Sequence, residues 1–494
     1  MMKNSKTVGL LILILVIASF LRLYSLDSIP PGLYSDEAMN GNNAAVALQT
    51  APPTGGFKVF YAENNGREGL FMNIEAALIG LIGPIGLIGP IELLRLPAAI
   101  FGILTVLGIY FLTKELFGDK RIALLAAFLV ATSFWHINFS RIAFRAIMAP
   151  AFLTWGLYLL LCSFKNSKLK IKNWPLPILA GLVYGLGMHS YIAYRATPLL
   201  IVFSLWLLVF RYGWKQTLRI GAIFVAAAII VFLPLGFYFL ENPADFFGRT
   251  SQISIWQSPT PFKDLGMNIL KTAGMFNIAG DYNPRHNIPG APLLWWPVGI
   301  LFLMGLVLAV RGSTSQKLTL IREEVEPREV GFKILLAWLV IAALPVIISN
   351  EGIPHALRSI LMAPPVFILT AWGGIWLYEK IRPTCPELCR RVGLIIFISF
   401  LAVNAYTSYF KTWAKDPAVA EAFNAKHVKI AEEINALPDE TPKYLVIDAG
   451  GQDIRKIGSP AQTVMYLTDT YLPEKQEKKN IYYILPSELP KISE

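Results

Sequence analysis

The chain has 494 residues; 54% are hydrophobic, only 16% are charged, and the mean hydropathy is +0.51. An average soluble domain carries about 25% charged residues, so a single soluble core is excluded as the main architecture, whereas a bilayer accepts apolar side chains on every outward face. The net charge of +11 does not imply nucleic acid, because basic residues of membrane proteins gather in cytoplasmic loops, and three cysteines (Cys162, Cys385, Cys389) imply no disulfide framework.

A span needs roughly 20 mostly apolar residues, and its backbone must be bonded internally, hence helical. The first apolar run, 8–21, follows Lys3 and Lys6 as a signal-peptide core would. Arg22, Tyr24 and Asp27 then stand where a small-residue cleavage site would be, so the run reads as an uncleaved first span. Eleven spans are expected, at 7–26, 93–113, 122–140, 145–164, 175–193, 197–211, 219–240, 292–311, 333–349, 359–378 and 391–410. An odd number places the termini on opposite sides. With the N-terminus inside, the inner segments hold 21 Lys and Arg and the outer ones 10, although the outer ones are longer in total. That is the bias expected of a correct topology. The run Lys165, Lys168, Lys170, Lys172 marks the inner side most clearly.

Two outer segments are long. The first, 27–92, opens with a Pro30-Pro31-Gly32 turn and contains an apolar stretch, 70–90, broken by glycines and prolines and carrying Asn73 and Glu75. It reads as a helix lying at the interface; counted as a span, it would invert every later loop. The second, 241–291, is polar with Pro, Asn and Trp, and a short helix is expected near 262–276. Loops of that length usually carry function. The tail, 411–494, shows helical spacing over 418–437 and strand-like runs at 444–448 and 481–485. The expected fold class is therefore an all-α polytopic membrane protein of about 11 transmembrane helices (residues 1–410) with a small extracytoplasmic α/β module (411–494).

Four groups of residues can carry chemistry. Asp36-Glu37 follows the first span by about ten residues; Ser35 can cap a helix starting there, and acids suit its first turn. The pair is either an ordinary helix start or a carboxylate acting as general base on a hydroxyl. Arg141 and Arg145 lie four residues apart between two spans on the outer side. There they either snorkel to headgroups or grip a phosphate with paired hydrogen bonds. His136 and Ser140 share that stretch. Arg358, with His355, enters a span after Asn350-Glu351-Gly352-Ile353-Pro354, where the helix N-terminus also favours an anion. His189, Tyr191, Tyr194 and Arg195 close another span, where an aromatic belt explains the tyrosines. Arg67-Glu68, Asp281 and Arg285-His286 are weaker signals. Cys385 and Cys389 read as reduced thiols. No phosphate-cradling Gly-rich loop, zinc-protease motif or serine elbow is visible.

The order of these elements is informative. One span precedes a long outer loop opening with Asp36-Glu37. Then come Arg95-Leu96-Pro97-Ala98-Ala99, a span ending Lys114-Glu115-Leu116-Phe117-Gly118, and Trp135-His136-Ile137 with Ser140-Arg141. Over residues 5–410 this resembles the GT-C membrane glycosyltransferases, nearest to the protein O-mannosyltransferase and aminoarabinose-transferase superfamily (glycosyltransferase family 39-like). The resemblance implies transfer of a sugar from a polyprenyl-phosphate donor to a protein, lipid or glycan acceptor on the outer membrane face, usually with inversion. It implies Asp36 as general base, Arg141 and Arg358 as phosphate binders, and Glu37, Arg145 and His355 as close support. Arg195, Arg67, Glu68 and His189 complete the expected substrate-binding set. Many relatives carry a His-Pro-Pro-Leu element where this chain has Arg67-Glu68-Gly69-Leu70.

No cofactor is called for; a divalent metal stays open, with no ligand assigned. The expected setting is a prokaryotic plasma membrane, with a cytoplasmic N-terminus, an extracytoplasmic C-terminus, membrane lipids as surroundings and no nucleic-acid partner. A transporter or flippase of lipid-linked glycans is the alternative. Transporters tend to carry charges near mid-span, whereas here the distinctive charges cluster at the outer ends.

Overall fold

The computed structural model describes residues 2–49, 56–165, 174–314, 327–447, 453–454 and 457–486. Its helices are α1 (Met2–Leu23), α2 (Ser35–Gln49), α3 (Leu70–Ile82), α4 (Pro90–Phe117), α5 (Lys120–Ala131), α6 (Phe134–Phe139), α7 (Met148–Lys165), α8 (Pro175–Gly187), α9 (Thr197–Tyr212) and α10 (Trp214–Glu241). They continue with α11 (Pro243–Gln252), α12 (Pro261–Gly274), α13 (Trp296–Thr314), α14 (Pro327–Ile347), α15 (Ala363–Lys380), α16 (Glu387–Tyr406), α17 (Pro417–Ala422), α18 (Ala425–Ala436), α19 (Ala461–Leu467) and α20 (Pro473–Lys478). Six short strands accompany them: β1 (Phe60–Tyr61), β2 (Arg67–Glu68), β3 (Lys443–Val446), β4 (Asp453–Ile454), β5 (Ile457–Gly458) and β6 (Ile481–Ile484). The fold is thus mostly helical and polytopic, with a little sheet in the first loop and the tail.

Nine helical segments among the described residues are long and apolar enough to cross a membrane. They correspond to nine of the eleven expected spans. The other two are helical but shorter. The segment expected at 122–140 breaks between α5 and α6. Thr132 bonds its hydroxyl back to the Phe128 carbonyl at 2.9 Å, and extended Ser133 caps α6 through the His136 N–H. Arg22, fully buried at the end of α1, donates to the Val130 and Ala131 carbonyls at 3.2 and 3.1 Å and contacts His136 Nδ1 at 3.0 Å. A cation on the last carbonyls of α5 suits its C-terminal dipole. The segment expected at 175–193 stops as a helix at Gly187. The first loop's apolar stretch forms α3 at Leu70–Ile82, also too short to span.

Contacts divide the chain into two compact units, the first comprising Met1–Tyr24, Ile100–Ser140 and Arg145–Ser408, the second Ser25–Ala99, Arg141–Phe144 and Tyr409–Glu494. In the first, α13 and α15 touch through glycine. A Cβ on Gly305 would lie 1.9 Å from the Leu369 carbonyl, and one on Gly373 2.2 Å from that of Leu301. No larger residue permits that approach.

The loops of the first unit sort onto two ends. Lys165 pairs with Glu115, Arg121 with Glu379, and Gln216 donates to the Phe164 carbonyl. Asn138 reaches the Arg285 carbonyl, Trp135 that of Ala356, and Asn268 those of Ile347 and Ser349. The segments read as inner thus meet one another, as do those read as outer. Lys168, Lys170 and Lys172 of the inner run lie outside the described residues.

In the second unit, β3 and β6 pair in parallel, Lys443 opposite Ile481 and Val446 opposite Ile484. The helix expected at 418–437 is split into α17 and α18 by Asn424, which takes a left-handed conformation (φ 55°). Buried Ala431, Ile434, Val464 and Ile481 form one apolar cluster. Met39 and Val46 of α2 join Ile447, Ala461, Met465 and Tyr471 in another. Each Val, Ile or Met among them contributes about 1.5–3 kcal/mol when fully buried, so the tail and α2 stabilise each other.

Candidate functional site

The second unit holds the acidic pair at the start of α2. Glu37 is fully buried, and both its oxygens are used. Oε1 accepts from Arg95 Nε at 3.0 Å and from the Ala143 N–H at 2.9 Å; Oε2 accepts from Arg95 Nη2 at 3.3 Å and from the Tyr34 N–H at 3.1 Å. Arg95, equally buried, donates further to the carbonyls of Leu26, Pro30 and Gly32. Glu37 therefore closes the first turn of α2, in place of Ser35, whose hydroxyl accepts from Asn424 at 2.9 Å. Asp36 differs. It is only partly buried, and Asn64 donates to its Oδ1 at 2.8 Å. A carboxylate oriented by one neutral donor keeps acceptor capacity for a substrate hydroxyl.

Around this pair the arginines are engaged. Arg141 is fully buried, donates to the Ser25 and Ile29 carbonyls at 3.1 and 2.8 Å, and lies over the rings of Tyr409 and Phe410. It clamps the loop that leads into α2. Arg67 donates to the side-chain oxygens of Asn40 and Asn43, and Glu68 sits beside it on β2 opposite Phe60. Glu75 of α3 is fully buried, and neither carboxyl oxygen has a hydrogen-bond partner among the described residues. Burial pushes its pKa well up; Arg67 opposes the rise and Glu37 adds to it.

The tail grips the same turn. Thr463 donates to the Leu33 carbonyl at 2.8 Å and accepts from Asn424; Asn42 donates to Gln462 Oε1 at 2.9 Å. Where the tail crosses the loop, Gly32 has φ +83°, and a Cβ there would stand 2.4 Å from the Phe423 carbonyl.

The first unit holds a second cluster. Asp281, His286 and His355 bring their ligand atoms within 4.8 Å of one another. His286 Nδ1 lies 2.9 Å from Asp281 Oδ2, which also accepts from the Ala356 N–H at 2.8 Å. The two imidazole rings are 4.8 Å apart. Burial lowers both histidine pKa values, His355 well below the usual range, where His286 and the arginines 358, 285 and 249 add to the effect. Neutral imidazoles with a carboxylate are a donor set suited to zinc or a similar divalent ion. Arg358 follows directly. Its Nη1 donates to Ser349 Oγ and, at 2.7 Å, to the Glu351 carbonyl; its Nη2 donates to Glu351 Oε2 at 3.0 Å.

The remaining expected residues lie in the first unit. Arg145 lies over Tyr191, Arg195 over Phe239 and Phe246 while donating to the Phe246 carbonyl at 2.8 Å, and His189 Nε2 is 2.9 Å from the Val231 carbonyl. An apolar cavity of 360 Å³ in this unit is lined by Leu129, Phe134, Asn287, Ile288, Trp295 and Phe367. Sequence reasoning did not group Asp281 with His286 and His355, nor did it single out Asn64 and Thr463. The asparagines 40, 42 and 43, all buried in α2, belong to a polar network that sequence reasoning passed over.

Residues 88–238 match the sequence profile of the dolichyl-phosphate-mannose-protein mannosyltransferase family. A comparison with curated proteins gives no significant match. Among solved structures, the chain is similar to the oligosaccharyltransferase AglB from Archaeoglobus fulgidus, in complex with an inhibitory peptide and a dolichol-phosphate. The TM-score is 0.58 at 15% identity, covering 99% of this chain and 70% of that one. It is also similar to ArnT from Cupriavidus metallidurans bound to undecaprenyl phosphate, with a TM-score of 0.57 at 14% identity, covering 98% and 91%. Identities this low speak for the fold alone, and the profile match is confined to residues 88–238. Together they show the GT-C fold of a polytopic membrane protein, with a stretch of 151 residues that matches the mannosyltransferase profile.

Proposed function

We propose that this protein is a membrane glycosyltransferase that moves a sugar from a polyprenyl-phosphate carrier to a protein, lipid or glycan acceptor. The observation that carries the reading is the contrast within one turn of α2: Glu37 is fully engaged in holding the loop, while Asp36 beside it is partly exposed with one neutral partner. In the proposed step Asp36 takes the proton of an acceptor hydroxyl. The freed oxygen attacks the anomeric carbon from the face opposite the phosphate. The bond from that carbon to the phosphate oxygen breaks, and polyprenyl phosphate leaves with the electron pair. Inversion at the sugar follows from a single displacement. Arg358 stabilises the charge developing on the leaving phosphate, the kind of interaction that contributes most to such catalysis. Glu37, Arg95 and Arg141 act by fixing the loop and helix that carry Asp36.

The Asp281, His286 and His355 cluster is the proposed seat of a divalent ion, which would supply further positive charge for the phosphate. The apolar cavity at Asn287 suits the first isoprene units of the carrier. The setting is a prokaryotic plasma membrane with a cytoplasmic N-terminus, supported by the distribution of basic residues. The tail, 411–494, then lies outside the cytoplasm as the buttress of α2. The AglB and ArnT structures, with dolichol-phosphate and undecaprenyl phosphate respectively, support the class of donor.

The test is turnover of a panel of polyprenyl-phosphate sugars by purified protein in lipid, wild type beside Asp36→Asn. The expected result is release of carrier phosphate by the wild type and a loss of at least about 100-fold in the variant, the lower range for a general base. Equal turnover by a well-folded Asp36→Asn removes Asp36 from the chemistry. Donors that cross the bilayer intact, with no turnover at any acceptor, reject the transferase reading.

A further inference from the structure

Arg358 is not idle in the structure, and its partners decide what a phosphate would have to displace. Two are fixed: the Ser349 hydroxyl and the Glu351 carbonyl. The third is a charge. Glu351 Oε2 accepts from Arg358 Nη2 at 3.0 Å and, on its other side, from Arg249 Nη2 at 3.1 Å. Two guanidinium groups from separate segments converge on one carboxylate oxygen. The side chain of Glu351 is 56% exposed, that of Arg249 34% and that of Arg358 only 10%. The anion is therefore the loosest member of the trio.

The Arg249 guanidinium is held, besides the acid, by Gln252 Oε1 at 3.4 Å, and the segments that carry the two arginines are joined by backbone bonds. The Ile255 N–H donates to the Ile348 carbonyl and the Asn350 N–H to the Ile253 carbonyl, both at 2.8 Å, and Asn268 donates to the Ser349 carbonyl at 2.7 Å. These bonds fasten the segment after α11, which carries Arg249, to the segment that carries Arg358. If Glu351 turns to solvent, these bonds still hold the two segments together and keep both guanidinium groups within reach of one oxyanion group. The Glu351 carboxylate is already more than half exposed, so water takes over its hydration when it turns away.

We infer that Arg249 and Arg358 form a phosphate seat and that Glu351 is its internal placeholder, an anion displaced by the phosphate of the lipid carrier. The inference rests on the transferase reading for the identity of the ligand, not for the geometry. It adds Arg249 as a binding residue and gives Glu351 a role. The donor is a phosphodiester with one negative charge; the leaving carrier is a monoester approaching two. Two guanidinium groups complement the second better than the first, so the seat favours the bond-broken state. The same preference would hold the product back. Glu351 opposes it by competing for both arginines, and so promotes release of the carrier phosphate.

The experiment uses the full chain in phosphatidylcholine nanodiscs. Binding of undecaprenyl phosphate, of inorganic phosphate and of added phosphatidylglycerol is measured for the wild type, Glu351→Gln, Arg249→Gln and the double variant, with melting temperatures to confirm folding. Removing a competing carboxylate from a two-arginine site is expected to tighten undecaprenyl phosphate binding by about tenfold, with Arg249→Gln cancelling the gain. Inorganic phosphate should shift in the same direction. If the wild type binds undecaprenyl phosphate and neither substitution changes it, the seat is refuted while the transferase reading stands. If no form binds the carrier phosphate, that reading fails, and inorganic phosphate alone decides the seat: a gain in Glu351→Gln that Arg249→Gln abolishes upholds it, and no change refutes it. A response confined to phosphatidylglycerol marks a site for bulk lipid and also refutes it. Glu351→Ala repeats the test without the amide.

Discussion

The two clusters of charge are built on opposite plans. In the second unit, the ions around α2 are buried and mutually neutralised: Glu37 with Arg95, and Arg141 on backbone carbonyls. In the first unit, the acid at Arg358 is exposed and shared with Arg249. The first plan suits a scaffold that must not move, because a buried pair broken on one side leaves an uncompensated charge. The second suits a site where anions exchange. Charge in this protein is thus not of one kind, and burial separates the holding groups from the exchanging ones.

The comparison can be broken at several points. The largest expected effect is on the buried pair: Glu37→Ala should cost about 3–5 kcal/mol of stability, read from denaturant or thermal unfolding in detergent. A cost below about 1 kcal/mol would mean that the carbonyls of residues 26, 30 and 32 alone hold Arg95. Next, His286→Ala should abolish binding of zinc or a similar divalent ion to the intact protein. The loss in calorimetry should exceed about 100-fold, because changes one shell further out already cost 10–100-fold. No binding by the wild type would make the cluster a purely hydrogen-bonded one. Third, Thr463→Val leaves the Leu33 carbonyl without its donor, at a cost of about 1–3 kcal/mol. Because Thr463 acts through the loop before Asp36, kcat should fall while KM holds, with Thr463→Ser restoring it. Equal changes in both constants would make the contact merely structural.

The smallest effect is at Glu75, where pH supplies the readout. Its folded pKa is raised by burial. The protonated carboxyl is therefore compatible with the fold at low pH, and stability is lost as pH rises from the ordinary glutamate range through the raised value. Glu75→Gln should match the wild type in acid and unfold at higher temperature than the wild type at neutral and alkaline pH. Parallel stability curves for the two proteins would place a compensating partner at Glu75.

Nine of the spans were legible because a bilayer imposes a length and an apolar composition on consecutive residues, both of which can be counted along the chain. The break at Thr132 and Ser133 was not, because it depends on Arg22 reaching the carbonyls of residues 130 and 131 from another helix. In the same way Asp36 stood out as an acid in a helix's first turn, while nothing local told it apart from Glu37. Arg95 and the Ala143 N–H made that distinction.

Local patterning by itself determined that this chain is polytopic and helical, which loops share an end, and that a family-like order of Asp-Glu, Arg-Leu-Pro and Ser-Arg elements runs through it. These are properties of neighbours in sequence, set by hydropathy, helix geometry and charge. Only the tertiary structure decided which ions are neutralised. It engaged Arg141 and Glu37 with backbone and left Asp36 partly exposed. It gathered Asp281, His286 and His355 from distant loops, and set Glu351 between Arg249 and Arg358. The physical reason is that desolvation and pairing depend on distances between residues far apart in the chain, which no spacing rule encodes.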